Sequence, residues 1–268
     1  MAEGAITAYR RMLGAQVRSM TQYRTSFAID LATQTAFTVL DIVAVLVIFR
    51  VTPSLGGFTL TQVLLVSSLA AIGFAMADLL VGNVERLRQY VRTGLLDAVL
   101  IRPLSALGQL LVLDFAPRRL GRVLFSTGLL TTVLAVSDID WTPERVLLLA
   151  ITPFAATLFF SAVFVLTACV AFWWIDSGEF ANSLTYGGRD FTSYPVTVFD
   201  GLFRKLFGFI LGFGFVGYYP ALGILGIPDP LGMPGFFVWG GPVVAAGATA
   251  LAALAWRSGI RHYKGAGS

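Results

Sequence analysis

The chain has 268 residues, of which 56% are hydrophobic and only 13% charged, with a mean hydropathy of +0.78. Soluble domains carry roughly a quarter charged residues, so this composition excludes a soluble globular protein and implies a bilayer. The net charge of +4 lies between apolar runs and builds no soluble basic face, which excludes a nucleic-acid partner.

The N-terminal stretch, about 4–24, carries Arg10, Arg11 and Arg18 where a cleavable leader would need an unbroken apolar core. On a helical wheel Ile6, Tyr9, Leu13, Val17 and Met20 share one arc, with Arg11 and Arg18 opposite. That pattern predicts an amphipathic helix lying in the membrane interface.

Six apolar runs then reach roughly the ~20 residues a membrane crossing needs. They lie at about 27–49, 59–81, 119–137, 145–172, 199–219 and 236–256. The first holds Asp41 near its middle, where an ionised carboxylate costs at least about 2.5 kcal/mol. Asp41 is therefore either a substrate or proton contact, or a neutral or paired group that fixes packing.

After the second run, about 82–108, comes a basic segment with an apolar load. Glu85 to Arg92 is charged on most faces and ends at Gly94. A second short helix, Leu95 to Ile101, presents Leu95, Leu96, Val99 and Leu100 around Asp97 and stops at Arg102-Pro103. A short apolar helix in a basic loop suits docking into another protein's groove, or packing beneath its own spans.

The fourth run opens with Thr142-Pro143-Glu144, a cap residue, a proline at the first helical position and an acid in the first turn. The fifth contains GFGFVG, 212–217, which fits a dinucleotide fingerprint in letters only, since no strand precedes it and it sits inside an apolar run. Gly201, Gly208 and Gly212 instead share a helix face on which a neighbouring helix or subunit could approach closely. The stretch 220–237 is too rich in proline and glycine to cross, and predicts an outer hairpin or cap.

Lysine and arginine fall seventeen on one side of this plan and two, Arg50 and Arg145, on the other. By the positive-inside rule both termini are cytoplasmic. The two lysines, Lys205 and Lys264, follow no phosphate-binding glycine spacing, so the chain holds no nucleotide of its own. No hydrolytic centre is present in the motifs either. A single Cys169 and a single His262 make neither an internal disulfide nor a four-ligand zinc site.

The string VRTGLLDAVLIRPLSALGQLL, 91–111, resembles the signature of the ABC-2 family transporter proteins, the membrane subunits of bacterial ATP-driven exporters. A second block, AFWWIDSGEFANSLTYGGRDFTSYPVTVFDGLFRKLF, agrees, as does FVGYYPALGILG at 215–226. Gly212 stands where that family usually has proline.

The resemblance implies an all-α membrane protein of the ABC-2, type II exporter-like fold. It would form one permease domain over 1–268, with six transmembrane helices, the interfacial helix and a cytoplasmic coupling helix. It implies a bacterial inner membrane, two cytoplasmic ATPase subunits that carry the ATP and Mg, and a second permease, identical or different. Coupling would fall to Gly94 as hinge, Leu95, Leu96 and Leu100 as cleft-filling groups, Asp97 and Arg102 as orienting charges, and Pro103 as the helix end. In similar proteins spans one, two and five line the pathway, which makes Phe37, Asp41, Phe74, Phe207 and Phe213 candidates and a hydrophobic or amphipathic drug, lipid or peptide the expected cargo. A secondary transporter would instead show inverted repeats and paired intramembrane charges, and a scaffold would need no pathway.

Overall fold

The structure is a computed structural model that describes residue 14, residues 24–113 and 119–263, and residue 265, with some side chains of the first helix left out. The expected interfacial helix lies almost wholly outside the described residues. Among the described residues the chain is helical, with one isolated β-bridge between Leu55 and Phe58.

Helix α1 spans Arg24–Val51 and α2 spans Leu60–Val81. The Thr59 amide at the start of α2 donates to Gln62 Oε1 at 2.9 Å, satisfying one orphan donor of the first turn. Three short helices follow: α3 (Leu87–Arg92), α4 (Leu95–Leu100) and α5 (Ala106–Leu113). Then come α6 (Leu120–Val136), α7 (Pro143–Cys169), α8 (Gly178–Thr192), α9 (Gly201–Phe203, continued by a wider π turn to Ile210), α10 (Tyr218–Leu225) and α11 (Gly240–His262). The Thr142 cap holds as expected: its hydroxyl accepts the Arg145 amide at 3.4 Å, with Pro143 at the first helical position.

Three helical runs are long and apolar enough to cross a membrane: Leu60–Arg92, Pro143–Phe172 and Gly235–His262. The first two pack side by side in the same direction, with Gly73 of α2 against Ala156 of α7 and the Phe74 ring 5.2 Å from Phe160. No side chain at Gly73 lets the two backbones come close, as small residues do in membrane bundles. The bundle thus has an apical end, where α2 and α7 start, and a basal end, where they finish. α11 runs the same way, from Gly240 beside Phe215 to Gly259 beside Phe172, whereas α6 starts basally at Asp78 and returns.

The run at 199–219, read from sequence as one span, is not one continuous helix. Its arms, Gly201–Ile210 and Phe213–Leu225, bend by 60°. The hairpin follows Thr197, whose hydroxyl donates to the Gly56 carbonyl at 2.7 Å, and closes at Gly226 against Arg145. Gly56 and Arg145 both lie apically, so the segment enters and leaves at one end. What carries the chain between ends is the polar α8, whose start at Gly178 lies under Arg88 and whose following turn reaches Gly56.

The three glycines do not form the expected common helix face. Gly201 and Gly212 adopt positive φ, +54° and +84°, which only glycine takes readily, so they start and bend the hairpin. Gly208 alone packs closely inside a helical turn, against Val196. Gly212 thus supplies by backbone conformation the break that proline would supply by its ring. Asp229 fastens the apical loop, accepting from the Tyr218 hydroxyl at 2.6 Å and from the Leu231 and Met233 amides at 3.1 and 3.2 Å. Leu124, Phe154, Val243, Leu251 and Leu254 face outward, which suits contact with acyl chains.

Candidate functional site

The basal end is built on a buried carboxylate. Asp78, 2% exposed at the last turn of α2, meets Arg122 Nη1 at 2.7 Å and Arg119 Nε at 3.2 Å, both from the start of α6. Arg119 also donates to the Asp78 carbonyl at 2.7 Å and to Asn83 Oδ1 at 3.3 Å, and Asn83 donates to the Leu111 carbonyl of α5 at 3.0 Å. One network therefore ties α2, α5 and α6 together, and charges this well enclosed are expected to be paired. A side chain at Gly82 would collide with Arg119 and Asp78, so α2 passes there into a tighter 3₁₀ turn, Gly82–Arg86.

From that turn the chain runs through α3 to Gly94, at φ +70°, and reverses into α4. The hinge expected at Gly94 is thus a left-handed residue at the start of the helix. Leu96 and Val99 point into the protein's own core, 0% and 4% exposed, while Leu95, Leu100 and Ile101 point out, Ile101 at 85%. The sequence reading placed Leu96 among the docking groups; its burial removes it, because the same face of α4 anchors the segment to the bundle. Arg102 and Pro103 are exposed beyond the helix end.

Gln109, fully buried in α5, donates to the Val99 and Leu104 carbonyls at 3.0 and 3.2 Å. Those bonds tie the start of α5 to the last turn of α4 and to the loop that follows it. Sequence reasoning missed Gln109, whose only signal was a polar residue inside an apolar run.

Asp97 is half-buried and turned toward the end of the chain. It lies beside Tyr263, and a Cβ on Gly265 would sit 3.2 Å from its Oδ1. Burial, and then the Asp97 carboxylate, push the Tyr263 phenol up from its ordinary range.

The proposed pathway residues divide. Phe74 and Phe213 are core, 1% and 3% exposed, with the Phe74 ring held among Phe160, Phe164 and Tyr186 and beneath the Arg122 and Arg189 guanidinium groups. Phe207 is half-buried in a stack with Phe191, Phe203 and Phe213. The side chains of Phe37 and Asp41 lie outside those described, although both residues fall within α1. Helix α8 buries Thr185, Gly188, Phe191 and Thr192 and exposes Glu179, Asn182, Ser183 and Asp190. Among the described residues no group of histidine, cysteine and acidic side chains is placed to hold a metal ion.

No curated protein and no solved structure matches the chain. The model of the family described as ABC-2 family transporter protein matches residues 35–267. That match takes in the basal segment, α8, the apical hairpin and all three long apolar helices. The chain is a multi-pass membrane protein and belongs to the ABC-2 family of transporter proteins.

Proposed function

We propose that this chain is the membrane subunit of an ATP-driven exporter in a bacterial cytoplasmic membrane, with the basal end and both termini in the cytoplasm. It binds no nucleotide itself; ATP and Mg belong to two cytoplasmic ATPase subunits. The observation that carries the reading is the two-sided α4. Leu96 and Val99 fix the helix to the bundle, and Leu95, Leu100 and Ile101 are left as an apolar ridge at the basic end of the molecule. Such a ridge on a rigid base can fill a cleft on a moving partner and transmit its displacement.

The arginines support the sidedness, because Arg86, Arg88, Arg92, Arg102, Arg257 and Arg261 gather basally. Arg204 and Lys205, grouped with them in the sequence reading, follow the hairpin to the apical side without reversing the excess. The six crossings become α1, α2, α6, α7, α8 and α11, with α8 replacing 199–219.

A polar helix face at membrane depth needs water or a polar partner. A second permease, identical or a different ABC-2 chain, set against Glu179, Asn182, Ser183 and Asp190 would enclose a wet pathway. That lining favours an amphipathic cargo with hydrogen-bonding or cationic groups over a purely apolar one.

The test is co-purification from native membranes in a mild detergent. An ATPase subunit should accompany the chain and be lost with Leu100→Asp and Ile101→Asp, while thermal stability stays unchanged. Recovery of the chain alone, under conditions that keep comparable assemblies intact, would point to a secondary transporter or a scaffold.

A further inference from the structure

At the basal elbow between α7 and α8 lies a cavity of about 250 Å³, lined by Glu85, Arg86, Arg88, Ser177, Asn182 and the Thr167–Thr185 hydroxyl pair, among others. Two of its charges are placed where protein groups alone leave them poorly matched. Arg88 lies directly across the first residue of α8, Gly178, where any side chain would collide with the guanidinium. The guanidinium, itself exposed to solvent, meets the positive end of a 15-residue helix whose first turn carries Glu179, and an anion bridging the guanidinium and the helix end would be favoured. Among the described residues Arg88 has no carboxylate partner, since the nearby Asp176 pairs with Arg92.

Ser177, which precedes α8 and is 2% exposed, makes no capping bond with its side chain and lines the same cavity. Glu85 supplies the opposite need. Its Oε2 accepts from the Tyr186 hydroxyl at 3.4 Å, while Oε1 is buried with no hydrogen-bond partner. A buried carboxylate oxygen left without a donor is costly. Glu85 and Arg88, three residues apart on a helical stretch, face the cavity together.

We propose that this cavity binds a zwitterionic headgroup carrying a phosphate and a primary ammonium. The phosphate takes the Arg88 guanidinium, the α8 N-terminus and the Ser177 hydroxyl; the ammonium pairs with the Glu85 carboxylate, whose side chain turns to present Oε1 to the cavity. Trp173, Trp174, Ile175 and Phe180, all exposed around the elbow, suit a site at the headgroup level of the membrane. The inference rests on the membrane setting alone, so it stands or falls apart from the ATPase reading.

The full chain would be purified, stripped of lipid in detergent and offered phosphatidylethanolamine, phosphatidylcholine and phosphatidylglycerol, with retained lipid counted by native mass spectrometry. Phosphatidylethanolamine should be retained roughly tenfold or more over phosphatidylcholine, whose methylated ammonium has no hydrogen to give Glu85. Glu85→Gln should erase that preference while keeping phosphate-dependent binding, and Arg88→Gln should weaken all three lipids. Binding of soluble phosphoethanolamine with the same Glu85 dependence would uphold the site and assign it to a free metabolite rather than a lipid. Equal retention of the three lipids by the unaltered chain, or an unchanged preference in a folded Glu85→Gln variant, would overturn the proposal.

Discussion

Removing the Asp78 carboxylate would leave the Arg119 and Arg122 guanidinium groups facing each other across a well enclosed space. Breaking a buried pair in this way costs about 3–5 kcal/mol, because the remaining charges stay behind uncompensated. Asp78→Asn is therefore expected to lower the thermal midpoint in detergent sharply. The Arg92–Asp176 pair provides the contrast. Its side chains are 59% and 75% exposed, so Asp176→Asn should change stability by no more than about 1 kcal/mol. Gly212→Ala tests the hairpin bend. At φ +84° a Cβ is strained by about 1–2 kcal/mol, and it would also lie 2.5 Å from the Val244 side chain. The variant should melt earlier and expose the hairpin to protease, an outcome that an ordinary helical glycine would not give.

Among the elements, α4 yields the sharpest contrast between neighbours. Leu96→Asp puts a charge into the core and should unfold the basal end, visible as a lost thermal transition. Ile101→Asp, on the opposite face, should leave the melting curve in place and release the ATPase subunit, and with it transport-linked ATP hydrolysis. Equal effects of the two substitutions would remove the division of labour assigned to this helix. The sequence made α4 legible because Gly94, Pro103 and the leucines mark its limits. It left its facing undecided, since in six residues apolar side chains fall on both sides and only the bundle above decides which are covered. The long helices α2, α7 and α11 were equally legible, each being a run of apolar residues bounded by charge or proline. α8 was not. Its Glu179, Asn182, Arg189 and Asp190 read as a loop by hydropathy, while the apolar 199–219 read as a span. The reversal has a physical cause: a helix half enclosed by α2 and α7 needs few apolar side chains of its own, and a hairpin wedged into the bundle needs many.

On the scale of the whole molecule the reversal alters which side of the membrane each segment meets. A cysteine placed at Asp200, in a background where the buried Cys169 is replaced by alanine, should react with an impermeant thiol reagent from outside intact cells. Labelling only after the membrane is opened would restore 199–219 as a crossing and send Arg204 and Lys205 back to the cytoplasm. The polar α8 also bears on how the protein is made. A secretory channel that releases segments sideways according to their apolarity has little reason to release α8, and good reason to hold the hairpin that follows it. On the topology proposed above, α8 is drawn in by α2 and α7 already standing in the bilayer, so biogenesis of this half of the chain would wait on the half that precedes it.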